Sequence, residues 1–201
     1  MSDPVTGKFR ILATFDRGQT WRVLPRRGMP AARHGEFGFA AGGTYLVTTG
    51  KHDAWLATGG GVSRIFHSRD DGRTWVVKRV PIPADPAGAG IFSLAFKNKH
   101  VGVAVGGDFN KPDKGASARS LDGGQRWRHG GSVSGYRSGS AWVDRQTRTV
   151  ITVGPNGSDV SHNAGRTWTR FDSGDYDAAS CTGWGSCWAS RPDGVVARLS
   201  R

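Results

Sequence analysis

Glutamate is almost missing from this 201-residue chain, in which Glu36 is the only one. Cysteine is nearly as scarce, with Cys181 and Cys187 alone, and no apolar run approaches the ~20 residues that cross a bilayer. Each shortage excludes a chemistry. A glycosidase working through two carboxylates would have to draw on aspartates. Two cysteines six positions apart form neither a CxxC redox pair nor half of a zinc site. The six histidines, at 34, 52, 67, 100, 129 and 162, make no HxH or HExxH cluster, so no metal is expected. "GGGVSR" and "GGSVSG" are glycine-rich, but neither has GxGxxG spacing or opens a helix, and no haem or Fe–S ligand spacing occurs. No cofactor and no catalytic residue is therefore expected. The opening "MSDPVTGKFR" has no apolar stretch and no small-residue cleavage site, so no export signal is expected in the chain as written.

Positive charge is what the chain has in excess. Lys and Arg total 28 against 16 acidic residues, a formal net charge of +12. Such a surplus favours an acidic protein face, nucleic acid or an anionic membrane surface, or it merely solubilises, because the arginines are scattered. No recognition motif or interleaved aromatic platform singles out nucleic acid. In "YDAASCTGWGSCWAS" strand-like residues flank a short glycine-containing turn. Cys181 and Cys187 are either bridged across a hairpin, which would point to an oxidising compartment, or left as two buried thiols.

One phrase recurs: "TFDRGQTW" at 14–21, "SRDDGRTW" at 68–75, "SLDGGQRW" at 120–127 and "SHNAGRTW" at 161–168. Its third residues, Asp16, Asp70, Asp122 and Asn163, fall 54, 52 and 41 positions apart. A period of about 40–50 residues is that of a four-stranded propeller blade. Between the phrases lie short strand-like runs such as "GIFSLAF", "VGVAVGG" and "TVITVG", separated by turn signals such as "KNKH", "DRQTR" and "GPNG". No helical period appears, so the fold is expected to be all-β. Within the phrase, Ser68 and Asp70 offer oxygens to backbone N–H groups of a tight turn, Gly72 supplies a positive φ, and Trp75 lays its ring on its own hairpin or the neighbouring blade.

S/T-x-D-x-G-x-T-W resembles the Asp-box, or bacterial neuraminidase repeat, which joins the third and fourth strands of a propeller blade. The resemblance implies structural roles for Asp16, Gly18 and Trp21; for Ser68, Asp70, Gly72 and Trp75; for Ser120, Asp122, Gly124 and Trp127; and for Ser161, Asn163, Gly165 and Trp168. Arg126, Asn163 and Ala164 depart from the pattern. More broadly, "MSDPVTGKFRIL", "GEFGFAAGGTYLV", "WLATGGGVSRIFHSRDDGRTW", "GVAVGGDF", "SGYRSGSAWV" and "GPNGSDVS" resemble the photosystem II stability/assembly factor family. Its bacterial relatives outside phototrophs are often described only as repeat proteins or, loosely, as oxidoreductases. The resemblance implies a seven-bladed propeller that binds a membrane-protein precursor through a basic, Arg-rich face and acts as an assembly scaffold, not an enzyme. Against that frame the chain holds about four to five blades. Residues 1–24 read as the C-terminal half of a blade opening at its third strand, 25–80, 81–129 and 130–171 as blade units, and 172–201 as an incomplete last blade. An incomplete arc, a smaller closed ring and a homo-oligomer hiding its open edges are the alternatives, and strand 195–199 is expected at an edge or paired with the N-terminal segment.

Propeller ligands sit where loops and innermost strands meet the central channel. Arg33, His34, Glu36, Asp108, Tyr136, Arg137 and Asp177 are the candidates for a partner-binding channel face, through bidentate contacts to a charged group. The alternative for the same residues is a salt-bridge network tying blades together. "DFNKPDKGAS" (108–117) lacks the last glutamate of a calcium loop and reads as a long surface turn. A sialidase-like hydrolase is the other functional reading: "FRIL" at 9–12 echoes an arginine motif of those enzymes, with Leu12 where proline is expected. The expected partner is a protein, a membrane or envelope protein included, with no specific nucleic acid. An extracytoplasmic location is favoured where an upstream region carries a signal.

Overall fold

Short strands carry all the regular backbone of the computed structural model, which describes every residue except 41, 86, 145, 183, 184, 200 and 201; no helix occurs among the described residues. The N-terminal unit contains β1 (Ser2–Val5), β2 (Lys8–Arg10), β3 (Leu12–Ala13) and β4 (Arg22–Val23), paired as two successive hairpins, β1–β2 and β3–β4. Then come β5 (Glu36–Phe37), β6 (Leu46–Thr49), β7 (Asp53–Ala57), β8 (Gly59–Gly60), β9 (Arg64–Ser68) and β10 (Val76–Arg79). The next meander is β11 (Ala89–Phe96), β12 (Gly102–Asp108), β13 (Gly115–Ser120) and β14 (Arg128–His129). It is followed by β15 (Gly139–Trp142), β16 (Val150–Gly154), β17 (Gly157–Ser161) and β18 (Thr169–Asp172), and by a three-stranded sheet of β19 (Ala178–Cys181), β20 (Cys187–Ser190) and β21 (Val196–Arg198).

The sheets β6-β7-β9-β10, β11-β14, β15-β18 and β19-β21 stand side by side as blades of a β-propeller, with β6, β11, β15 and β19 neighbouring one another in that order along the inside. The all-β propeller expectation holds. "GIFSLAF" and "VGVAVGG" become β11 and β12, buried almost throughout, as strands covered on both faces should be. One expectation is corrected: the run "GKFRILAT", expected as the opening third strand of a blade, is not the first strand. Ser2–Val5 is already a strand, returned onto Lys8–Arg10 by the two-residue turn Thr6–Gly7, both at positive φ (51° and 75°). A threonine in that conformation is no turn signal, so the hairpin is hidden in the sequence. At the other end β21 pairs only with β20. Cys181 and Cys187 stand opposite each other on β19 and β20 and are joined as a disulfide.

The repeated phrase builds the same turn four times. The hydroxyl at its first position accepts the N–H of its glycine: Gly18 on Thr14 (2.7 Å), Gly72 on Ser68 (2.8 Å), Gly124 on Ser120 (2.8 Å) and Gly165 on Ser161 (2.9 Å). The Asp or Asn oxygen accepts the N–H four residues on: Thr20 on Asp16, Thr74 on Asp70, Arg126 on Asp122 and Thr167 on Asn163, all at 2.8–2.9 Å. The fourth and fifth residues both adopt left-handed backbone, for instance Asp71 (φ 60°) and Gly72 (φ 80°). A carbonyl of the preceding hairpin in the same sheet anchors each of the last three turns, with Asp71 donating to His52, Gly123 to His100 and Ala164 to Arg148. These turns therefore lie at the same end of the blades as the β6–β7, β11–β12 and β15–β16 connections.

Each later tryptophan wedges against the sheet before its own. Trp75 joins Phe9, Ile11 and Met29; Trp127 packs on the cluster holding Trp55 and Leu94; Trp168 packs on Val103 and Ala95 and donates its indole N–H to Ser117 Oγ (3.2 Å). Trp55 returns the favour by donating to Gly123 O in the next turn (3.0 Å). Trp21 departs from the expectation of a buried ring. It is 61% exposed and joins none of the buried clusters.

Two further links hold neighbouring sheets together. Gly59 of β8 bridges Phe37 and Gly90, so β5 and β8 extend the β11–β14 sheet to six strands. A Cβ on Gly59 would stand 2.3 Å from Phe39 and 2.7 Å from Gly90 Cα, so only glycine permits the approach. Along the axis the hydroxyls of Thr44, Ser93 and Ser140 form a chain (2.6 and 2.7 Å) running from the residues before β6 through β11 to β15.

The turn geometry leads to two expectations. Asp70→Asn should cost little, since Asn163 already fills the role, whereas Asp70→Ala should cost about 1 kcal/mol in lost hydrogen bonds. Gly72→Ala should cost about 1–2 kcal/mol from left-handed backbone alone, with more added because its Cβ would sit 2.8 Å from Leu24 Cδ1. Urea midpoints check all three. The second expectation concerns acid. Hydrogen bonds from the Thr20 hydroxyl and amide, with one from Thr14, pull Asp16 down to about 2. Burial raises Asp70 and Asp122, but the bonds from Thr74 and Ser68, and from Arg126 and Ser120, outweigh it and leave both lowered. A carboxyl whose folded pKa lies below its unfolded value stabilises fully above about pH 4 and loses that contribution as pH falls through the folded value. The Thr20 amide should therefore titrate with a midpoint near 2 in an NMR pH series, while Thr167, bonded to Asn163, shows no carboxyl inflection of its own. A Thr20 midpoint near 4 contradicts the reading.

Candidate functional site: the mouth of the channel

The residues expected on the channel face fall into two buried corners of the blades. Glu36 accepts from Arg64 Nε (2.8 Å), Arg64 Nη2, Thr58 Oγ1 (2.6 Å) and the Arg33 backbone N–H (2.7 Å). Arg64 also donates to Ala31 O and lies over the Phe66 ring. Arg137 is fully buried. Its Nε donates to Asp159 (2.7 Å), its Nη1 to Tyr136 O and Asn156 Oδ1, and its Nη2 to Ser134 Oγ. Asp159 in turn accepts the Ser134 N–H (3.2 Å). Burial draws the Arg137 guanidinium below its usual value, opposed by the Asp159 charge.

The two corners are one design with the charges exchanged. In one the carboxylate precedes the innermost strand and the guanidinium comes from the third strand of the sheet; in the other the roles are reversed. Each uses the backbone N–H three residues before the first charge, Arg33 before Glu36 and Ser134 before Arg137. Arg64 and Asp159, the partners, are absent from the sequence-based candidates. The available signal was a charged residue at an inward position of an otherwise apolar or small strand, in "SRIFHS" and "SDVS".

The other candidates scatter around these corners. Tyr136 packs edge-on to Phe92 (4.7 Å), and burial, with the Asp177 charge nearby, raises its phenol so that it stays protonated. Asp177 caps the last sheet, its N–H donating to Ser190 O and its carbonyl accepting from Ser138 Oγ. Asp108 is 7% exposed; Oδ1 accepts the Asn110 N–H, and Oδ2 has no partner among the described residues. Arg33 and His34 line a shallow groove with Val62 and Arg79 at the end away from the repeated turns. Arg10 ends β2 as an exposed residue of the N-terminal hairpin. The seven expected residues therefore do not converge on one ligand.

The cavity into which all four blades open lies at the opposite end. It has a volume of about 800 Å3 and is lined by the turn after β6 (Thr49–Asp53), the end of β11 (Phe96–Lys99), Trp142, Asp144 and Cys181. Its charge is lopsided. Asp144 is spent on the N–H groups of Gln146 and Thr147 and the Thr147 hydroxyl, which hold it below the usual carboxylate range. Asp53 is held by His67 Nε2 (2.8 Å), and burial keeps that imidazole below its usual pKa and therefore neutral at pH 7. His52 pairs with Asp71 (3.0 Å). Lys97 donates to Thr147 O and stands 5.9 Å from the Trp142 ring. Lys51 and Lys99 have no acidic partner among the described residues. The mouth thus sets three ammonium groups, Lys51, Lys97 and Lys99, against the two carboxylates of Asp53 and Asp144, the latter lowered in part by the Lys97 charge; the surplus is positive, in a concave site suited to a carboxylate or other anion. No cluster of three or more metal-ligating side chains occurs among the described residues. In the sequence these lysines sit in "TGKHD" and "KNKH", where they read as turn punctuation and not as a site.

Solved structures of similar architecture exist. YCF48 bound to a D1 peptide aligns with a TM-score of 0.55 at 15% identity, covering 82% of this chain and 54% of that one. YCF48 from Cyanidioschyzon merolae aligns with a TM-score of 0.51 at 16% identity, covering 77% of this chain and 52% of that one. The GH74 enzyme of Niastella koreensis aligns with a TM-score of 0.53 at 15% identity, over 74% of this chain and 27% of that one. These likenesses carry the propeller fold, and the chain spans about half the length of the two YCF48 structures. No protein-family model and no curated protein matches the chain.

Arg137 and Lys51 should respond oppositely to truncation. Arg137→Ala strands a buried carboxylate and should cost about 3–5 kcal/mol, while Arg137→Met with Asp159→Leu should recover most of that loss. Lys51→Ala should stay within about 0.5 kcal/mol of the parent. Denaturant titration of the four proteins checks the set, and a mild Arg137→Ala would return that residue to the list of ligand contacts.

Proposed function

We propose that this chain is a non-enzymatic binding scaffold that holds an acidic segment of a partner protein at the channel mouth. The observation that carries the reading is the 800 Å3 cavity fed by four blades, where Lys51, Lys97 and Lys99 outnumber the carboxylates of Asp144, held by its own turn, and Asp53, held by His67. Backbone of an extended segment would run over the polar rim, with its acidic side chains reaching the ammonium groups. The reading is supported by the fold it shares with YCF48, a photosystem II assembly factor whose solved structure holds a D1 peptide, and by the resemblance of the repeated turns to Asp-boxes. On this reading the chain is an assembly-factor-like propeller, its partner a membrane or envelope protein, and its setting extracytoplasmic, in keeping with the Cys181–Cys187 disulfide. The open edge at β21 is then a place for further association.

Fluorescence anisotropy with a labelled Asp/Glu-rich peptide, beside its Asn/Gln counterpart, tests the scaffold. The acidic peptide should bind and weaken steeply between low and physiological salt. Lys51→Glu with Lys99→Glu should reduce affinity at least tenfold, a loss of about 1.4 kcal/mol. Equal binding of both peptides, or no effect of the double substitution, removes the proposal. Turnover of a fluorogenic sialoside abolished by Arg10→Ala would instead favour a hydrolase.

A further inference from the structure

Outside the channel, a groove of about 500 Å3 runs between the β6–β10 sheet and the repeated turn of the β11–β14 sheet. Its charged lining is Arg69, Lys78 and Arg126, all exposed and none in an ion pair among the described residues. The neighbouring polar groups are already committed. His67 is bonded to Asp53, the Thr74 hydroxyl to Asp70 and the Gln125 amide to Asp122 O. Asp122 Oδ1 accepts from the Arg126 N–H and from Ser120. What the groove presents is three cations, none in an ion pair among the described residues, against the Asp122 carboxylate whose pKa the Arg126 charge helps to lower; the remaining mutual repulsion is one that an anion relieves.

Register within the repeat makes the arrangement specific. The three cations occupy the position after the opening Ser, the third position after the Trp, and the position before the Trp of the following turn. The same positions at the preceding interface are Phe15, Leu24 and Thr74, and at the following one Leu121, Gly130 and Thr167. Only this interface is charged. Arg126 is also the one departure from threonine at its position. Thr20, Thr74 and Thr167 each exchange a hydroxyl bond with the Asp or Asn of their own turn (2.5, 2.6 and 2.8 Å), and Arg126 forgoes that bond. Arg126 gives its turn a charge attraction to Asp122 in place of that hydroxyl bond, and it also sets a guanidinium over a groove that holds two other cations.

We infer that this groove is a phosphate site, taking a phosphomonoester dianion between the two guanidinium forks with Lys78 completing the charge. It is separate from the channel mouth and independent of the acidic-peptide reading. The decisive variant is Arg126→Thr, which restores the residue found in the other three turns and should leave the melting temperature without phosphate equal or higher. Arg69→Gln is the second variant, should the first fail to fold. Inorganic phosphate and a phosphoserine peptide are titrated separately by calorimetry at constant ionic strength, against chloride and the unphosphorylated peptide. Binding should fall at least tenfold in either variant, with acidic-peptide binding at the mouth unchanged. Equal phosphate and phosphopeptide affinity identifies a free-anion site, and tighter phosphopeptide binding a site for a modified protein. Binding no stronger than chloride, or unaltered in both variants, overturns the inference.

Discussion

Everything in this molecule depends on how a sheet that cannot bury itself is fastened to the next. A hydroxyl and a carboxylate, or in one copy an amide, satisfy the backbone donors of a left-handed turn, and the turn then aims an indole at the preceding sheet. The polar half of the device is local, within eight residues. The apolar half is not, since Trp75, Trp127 and Trp168 reach cores built by chain more than forty residues earlier, such as Phe9, Trp55 and Val103. Short-range hydrogen bonding thereby fixes the direction of a long-range hydrophobic contact, which is how many short strands stack without a helix.

Buried charge plays the complementary part at the other end of the blades. Glu36–Arg64 and Arg137–Asp159 are ion pairs backed by several further hydrogen bonds, so the cost of taking them out of water is offset by geometry as much as by attraction. Their polarity is interchangeable because the corner needs a bridge between the segment entering a sheet and that sheet's third strand, and either orientation supplies one. The mouth follows another logic. There Asp144 is held by its own turn and Asp53 by His67, and Lys51 and Lys99 remain to meet something from outside.

Most of the architecture was legible because its signal is periodic. The spacing of Asp16, Asp70, Asp122 and Asn163 carried the blade repeat, and apolar runs marked β11, β12 and β16. What escaped was information that exists only across the chain. Arg64 and Asp159 look like ordinary strand residues until the segments 28 and 22 positions away are laid beside them. Glu36 stood out by rarity and Arg137 by place, and each lies in a buried, ion-paired corner. The β1 strand escaped because Thr6 adopts a conformation usually left to glycine or asparagine. Lys51 and Lys99 escaped because turns are rich in such residues, and only assembled sheets bring two separate turns to one rim.

The glycine bridge at position 59 has a mechanical consequence. By threading two short strands, β5 and β8, into the sheet of the next blade, it adds a welded joint to an array of nearest neighbours. Such arrays ordinarily fray module by module from their ends. Here the first two of the four blades are obliged to open together, so amide exchange in β9 and β12 should share one rate while the β19–β21 hairpins exchange on their own clock.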